Sequence, residues 1–228
     1  MSTPIEIIRS VLGSGGAVEE AGLSKAQLTR TFSMLLNDPD EIIAQRASWS
    51  LGPVVADSGP DKIENFLRRL MWRVNPESGD NPLGVPEAIG EIGARAFEQV
   101  RPFVPVLLQY SDDEQLLPGI LQAIGRIGHS SPATIEPHMD FLISTLTDER
   151  PSIFGNAALA MLRIDRRRAE EVLAKVEARD RTARIYYNGA YQMIRLREIA
   201  QLEDDRLNEF CFISRETEAT PPPGGTVP

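Results

Sequence analysis

The side chains best suited to bind something are a set of arginines and the oxygens of one long turn. Arg126, Arg163 and Arg195 each hold the fourth place of a similar pentapeptide: Ala123-Ile124-Gly125-Arg126-Ile127, Ala160-Met161-Leu162-Arg163-Ile164 and Gln192-Met193-Ile194-Arg195-Leu196. A guanidinium is a rigid fork of donors that matches a carboxylate or phosphate with paired hydrogen bonds. Asn75, Glu77, Ser78, Asp80 and Glu87 gather oxygens of the kind a divalent cation accepts. Their order does not match an EF-hand loop, and the Pro and Gly between them equally suit a plain structural turn. The same turn, with Trp72, Arg73, Asn75, Glu77 and Ser78, also suits recognition of a partner by a rigid inserted loop. Nucleophilic chemistry has little to build on. His129 and His138 adjoin no Ser or Cys motif, and the lone Cys211 sits in the apolar run Phe210-Cys211-Phe212, as an inert buried thiol would. No catalytic residue, metal ligand set or cofactor motif is assigned.

Composition narrows the partners. The 228 residues carry a formal charge of −9, so the chain as a whole attracts neither nucleic acid nor anionic membrane. Among the basic residues 21 are Arg and 3 are Lys. A partner with acidic groups, a protein or a peptide, is the expectation. No apolar run is long enough to span a bilayer, and the first residues lack a basic segment before an apolar one. The expected compartment is the cytoplasm. Oligomeric state is left open.

These side chains are positioned by a repeat. Ser50-Leu51-Gly52-Pro53-Val54, Ala88-Ile89-Gly90-Glu91-Ile92, Ala123-Ile124-Gly125-Arg126-Ile127 and Ala160-Met161-Leu162-Arg163-Ile164 start 38, 35 and 37 residues apart. Gln192-Met193-Ile194-Arg195-Leu196 follows after 32 more, and Asn188-Gly189-Ala190-Tyr191 before it pairs with Asn156-Ala157-Ala158-Leu159. Each segment closes an apolar helical pattern, preceded by another helix and a polar turn. Asn37-Asp38-Pro39-Asp40, Ser111-Asp112-Asp113-Glu114 and Thr147-Asp148-Glu149-Arg150-Pro151 read as such turns, and Ser24-Lys25-Ala26-Gln27 reads as a capping box. The spacing predicts helix pairs near 24–57, 61–95, 101–129, 136–164 and 166–200. One hairpin cannot bury its apolar face alone, so neighbours must stack. Residues 1–23 read as a capping helix and flexible joint, 24–213 as the repeat domain, and 214–228 as a disordered tail.

With the A-x-G-x-I/L signature, the Asp/Pro turns and the period in hand, residues 24–200 resemble the HEAT repeat superfamily, closest to the short bacterial phycobilisome-lyase variety. The resemblance implies an all-α fold, a right-handed α-solenoid of about five helical hairpins. It implies that the second helices line a concave groove. In that register the groove positions are Arg46, Trp49, Glu87, Glu91, Gln122, Arg126, Asn156, Arg163, Asn188, Tyr191 and Arg195. The ladder of Arg126, Arg163 and Arg195 then suits an acidic peptide, a phosphate or a tetrapyrrole carboxylate; the other reading pairs these arginines with acids on neighbouring repeats. The implied function is a non-catalytic scaffold that binds a partner on the concave face. The alternative is a phycobilin-lyase-like chromophore lyase or a subunit of an enzyme complex.

Overall fold

The computed structural model describes residues 2–80, 83–176, 180–187, 189–203 and 207. Helix α1 spans Pro4–Ser14, opened by a Thr3–Glu6 capping box and ended by Gly15 in the left-handed region. Helix α2 spans Lys25–Leu35, and Ser24 with Gln27 forms the expected capping box. Helix α3 runs Glu41–Ala56, with the Asp40 carboxylate accepting from the N–H groups of Ile42 and Ile43. Helices α4 (Pro60–Val74), α5 (Val85–Gly93), α6 (Phe97–Val100), α7 (Val104–Leu108) and α8 (Leu117–Ser130) follow. Then come α9 (Pro132–Ile135), α10 (Met139–Thr145), α11 (Pro151–Ile164) and α12 (Arg166–Leu173). Strands β1 (Thr182–Tyr187) and β2 (Ala190–Arg195) form an antiparallel pair in which Tyr186 faces Tyr191, and α13 (Leu196–Ile199) closes the described chain apart from Leu207. No described helix is long and apolar enough to cross a membrane.

Helices α3, α5, α8 and α11 lie side by side in that order, and β1 packs against α11. Helices α2, α4 and α10 each cover the member of this row that follows them. Leu51, Ile89, Ile92, Ile124, Ile127, Met161 and Ile164 are buried along the row, as the repeat register requires.

The glycines of the repeat explain the close helix spacing. A Cβ on Gly90 would sit 2.4 Å from the Cα of Ala123, and one on Gly125 would sit 2.8 Å from the Cα of Ala160. A Cβ on Gly52 would meet the Glu91 carbonyl oxygen at 2.7 Å. Glycine thus lets neighbouring backbones approach at three successive interfaces, against alanine at two of them and against the Glu91 backbone at the third. At the end of the row a Cβ on Gly155 would meet the Cβ of Ala183 in β1 at 2.8 Å.

The chain is mostly helical rather than all-α, and the expected fifth pair, 166–200, requires correction. Its first helix is α12, but residues 182–195 form a β-hairpin. Met193, which the repeat alignment pairs with the buried Met161, is 61% exposed. The physical reason is in the sequence: Asn188-Gly189 separates two runs rich in Tyr and Ile. Asn-Gly suits a two-residue hairpin turn, and aromatic and β-branched residues suit a pleated, half-buried surface. Gly189 has φ 79°, open to glycine without penalty. The tail 214–228 and the stretch Asn208–Ile213, with Cys211, lie outside the described residues.

Candidate functional site

Most of the positions expected in the groove are buried rather than open. Arg46, Trp49, Gln122, Arg126, Asn156, Arg163 and Glu91 are all buried. The hairpin lies over the α3 end of this face. Trp49 meets Tyr186 edge-on at 5.4 Å between ring centroids, and Tyr186 meets Tyr191 in the same way at 5.2 Å. The Tyr191 hydroxyl donates to Gln45 Oε1 at 3.3 Å, and Gln45 Nε2 donates to Gln122 Oε1 at 3.0 Å. Arg46 donates from Nη2 to the Gly189 carbonyl at 3.1 Å and from Nη1 to the Leu12 carbonyl. Arg184 pairs with Glu41 and stacks 4.0 Å above the Tyr191 ring. Arg181 sits 3.9 Å from the centre of the Phe154 ring. The chain thus covers with its own hairpin the surface on which a partner was expected. Asn188 lies outside the described residues.

The arginine ladder is corrected too. Arg126 is held by Glu91, with Nε 2.6 Å from Oε1 and Nη2 donating to Oε2 at 2.9 Å. Arg95 joins the same carboxylate at 3.2 Å. Arg163 donates from Nε to the Leu207 carbonyl at 3.0 Å. Burial, together with the like charge of Arg126, pushes its pKa down to about 9. Arg195 ends β2 and is exposed, unlike the buried Arg126 and Arg163. Asn156 donates back to the Ser152 carbonyl at 2.7 Å within α11. The alignment found the register but not the cover, because a two-stranded lid carries no helical period. His129 lies in the last turn of α8, with Nδ1 3.3 Å from the Arg163 carbonyl.

The long turn spends its polar atoms on itself. The Asn75 side chain caps the short 3₁₀ turn Pro76–Ser78 by accepting from the Glu77 N–H at 2.9 Å. Ser78 Oγ donates to the Arg73 carbonyl at 3.1 Å. Arg73 forms an ion pair with Asp80 and donates to the Ser33 carbonyl at 3.0 Å. Among the described residues no group of three or more His, Cys, Asp or Glu side chains is arranged to hold a metal ion. Trp72, 57% exposed, stands on α4 beside this turn.

Two concave spaces stand out among the described residues. The larger, about 970 Å³, lies between α2 and α4. Met34, Val55, Phe66 and Leu70 supply its apolar surface, and Arg30, Lys62, Arg69 and Arg73 supply positive charge. Arg73 is tied to Asp80, whereas Arg30, Lys62 and Arg69 are exposed and no ion pair joins them to a described residue. The sequence held a signal for this groove. Lys62, Phe66, Arg69 and Arg73 follow the i, i+4, i+7, i+11 spacing of one helix face. The register of the second helices drew attention away from it. The smaller cleft, about 480 Å³, is lined by Asp38, Glu41, Gln45, Glu87, Gly119 and Tyr191 among others. Burial pushes the Glu87 carboxyl up to about 8.

No protein-family profile and no solved structure matches the chain. An Archaeoglobus fulgidus protein described as uncharacterized is 35% identical to it over 78 residues, 34% of this chain and 41% of that protein. The chain therefore spans less than half the length of the relative it matches. Fold and site together define a mostly helical chain, built on a row of four packed helices, with a cationic groove on its outer layer and a hairpin over its inner face.

Proposed function

We propose that this chain is a non-catalytic binding module of HEAT-type hairpins in a right-handed solenoid, which takes an acidic amphipathic segment of a partner protein between α2 and α4. The observation that carries the reading is the charge on that groove. In a chain of net charge −9, three exposed cations without ion-pair partners among the described residues converge on an apolar trough. An amphipathic helix would lay its apolar stripe on Met34, Phe66 and Leu70 and its acids on Arg30, Lys62 and Arg69. The partner chemistry expected from the sequence is kept, while the binding face moves from the covered inner layer to the open outer one. The glycine-spaced row of helices and the period in the mid-thirties support the HEAT assignment.

The test uses a fluorescent amphipathic helical peptide of Glu and Leu against the full chain. The expected result is saturable binding that weakens as salt rises and is lost in the Arg30→Glu/Lys62→Glu/Arg69→Glu variant. A Lys/Leu peptide of the same length should not bind. Equal binding to the charge-reversed variant, or tighter binding of a single-stranded oligonucleotide, would overturn the reading.

A further inference from the structure

The smaller cleft has a chemical peculiarity that the outer groove does not explain. Its walls are the α2–α3 turn, the first turns of α3, the start of α5, the start of α8, and Tyr191 from the hairpin. Three acids line it, and neither Lys nor Arg does. Asp38 is committed to Arg9 through two hydrogen bonds of 2.7 and 3.1 Å. Glu41 is committed to Arg184. Glu87 has no cation partner among the described residues. Its Oε2 is sealed from water and makes no hydrogen bond in the structure.

A buried acceptor without a donor costs roughly 1–3 kcal/mol, more for a charged group, so such atoms in native proteins call for an explanation. The carboxyl is also given room. It lies across Gly119, where a Cβ would sit 2.5 Å from Oε2, so any larger residue would displace it. Beside it are the Tyr191 hydroxyl and the Gln45 amide, already hydrogen-bonded to each other at 3.3 Å. The cleft's size, about 480 Å³, falls within the roughly 300–1,000 Å³ usual for small-ligand sites.

We infer that this cleft is a binding site for one primary ammonium group on a short alkyl chain, with the Glu87 carboxylate as its counter-ion. An ammonium supplies the missing donor and the missing charge together. Its alkyl chain would lie along Leu36, Pro39 and Leu83, which also line the cleft. A metal ion fits less well, since the acids are not grouped to ligate one. Burial favours the protonated carboxyl near neutral pH, and an arriving ammonium would displace that proton. Asp38, Glu41 and Tyr191 are the other titratable groups at its walls, and Arg9 and Arg184, outside the lining, hold the two acids. The ammonium could belong to a free amine or to a lysine side chain, and the experiment separates the two.

The test titrates the full chain with 1,4-diaminobutane and, separately, with Nα-acetyl-lysine amide. Butan-1-ol and Nα-acetyl-norleucine amide serve as neutral controls. Amide NMR shifts should concentrate at Gly84, Gly119 and Tyr191. Calorimetry near pH 7 in buffers of different ionisation enthalpy should show close to one proton released per amine bound. Glu87→Gln, which keeps the shape and removes the charge, should weaken binding roughly tenfold or more and abolish the proton release. Saturation by the diamine alone assigns a free amine, and saturation by the lysine amide alone assigns a peptide side chain; either supports the inference. Failure of both amines, equal binding of the neutral controls, or unchanged binding to the Glu87→Gln protein overturns it. The peptide groove between α2 and α4 stands or falls separately, by charge reversal at Arg30, Lys62 and Arg69.

Discussion

Arg126 of α8 reaches one helix along the row to hold Glu91 of α5, Nη2 to Oε2 at 2.9 Å, with both side chains almost fully out of water. Such a pair is unequal in its consequences. Attraction between the charges roughly offsets the cost of drying them, but removing one partner leaves the other buried and uncompensated. Arg126→Met should therefore lose about 3–5 kcal/mol of unfolding free energy, read from urea titration. Glu91→Leu/Arg126→Met together should lose clearly less than Arg126→Met alone. A surface ladder would predict almost no change for either, so an unshifted midpoint for Arg126→Met would contradict the buried pair.

Gly90 sets the distance between α5 and α8. A Cβ there would come within 2.4 Å of the Ala123 backbone, which cannot yield as a side chain tip can. Gly90→Ala should destabilise by about 1–3 kcal/mol or more, as overpacking a tight interface does. Gly13, inside α1, is the control. A Cβ there would meet only Ile43 Cδ1, at an ordinary 3.9 Å. Gly13→Ala should instead stabilise by about 0.5–1 kcal/mol through helix propensity. Thermal melts of the two variants should move in opposite directions.

The row of packed helices was legible from sequence because each member repeats the same small-residue contact. Gly90 on Ala123 and Gly125 on Ala160 are one interaction used twice, and it leaves a fixed motif at a fixed period. The hairpin was hidden by the same logic. Its second strand, Gln192-Met193-Ile194-Arg195-Leu196, carries the same apolar spacing as the helices, so it was drawn into the repeat alignment, although Asn188-Gly189 argued for a turn. Local turn chemistry outweighed period there. The side chains of the site were found because they share one face, yet their exposure was misjudged. Exposure depends on what covers a face, and the cover here comes from residues far along the chain, as Arg46 bonded to Gly189 illustrates.

Glu87 makes stability depend on pH in a definite direction. Its folded pKa is raised to about 8 from an ordinary value of 4.5, because burial disfavours the anion. The folded state therefore binds more protons than the unfolded chain between those values. Its contribution is fully present below pH 4.5 and is lost progressively as pH rises toward 8. Glu87→Gln cannot ionise, so it should gain stability relative to the parent as pH is raised across that window and should show no such gain below it. Chemical denaturation of both proteins at a series of pH values measures the difference directly. A constant difference across the window would mean that Glu87 titrates normally.

The hairpin should couple the two ends of the helical row. It packs on α11 through Ala183 and on α3 through Trp49, Arg46 and Glu41. A linear repeat array can unravel from one end, because each unit touches only its neighbours. Here the hairpin joins the first member of the row to the last, so loosening it should be felt at both. Gly189→Ala places a Cβ at φ 79°, a strain of roughly 1–2 kcal/mol for an L-residue. Trp49 is the reporter, and exposed Trp72 can be replaced by Phe so that Trp49 alone emits. In that background Gly189→Ala should shift the Trp49 emission to longer wavelength, as water reaches the ring beside Tyr186. Hydrogen exchange should quicken in α3 around Arg46 and in α11 around Gly155 together. Faster exchange confined to α11, with Trp49 emission unchanged, would show that the hairpin rests on the last helix only and does not close the row.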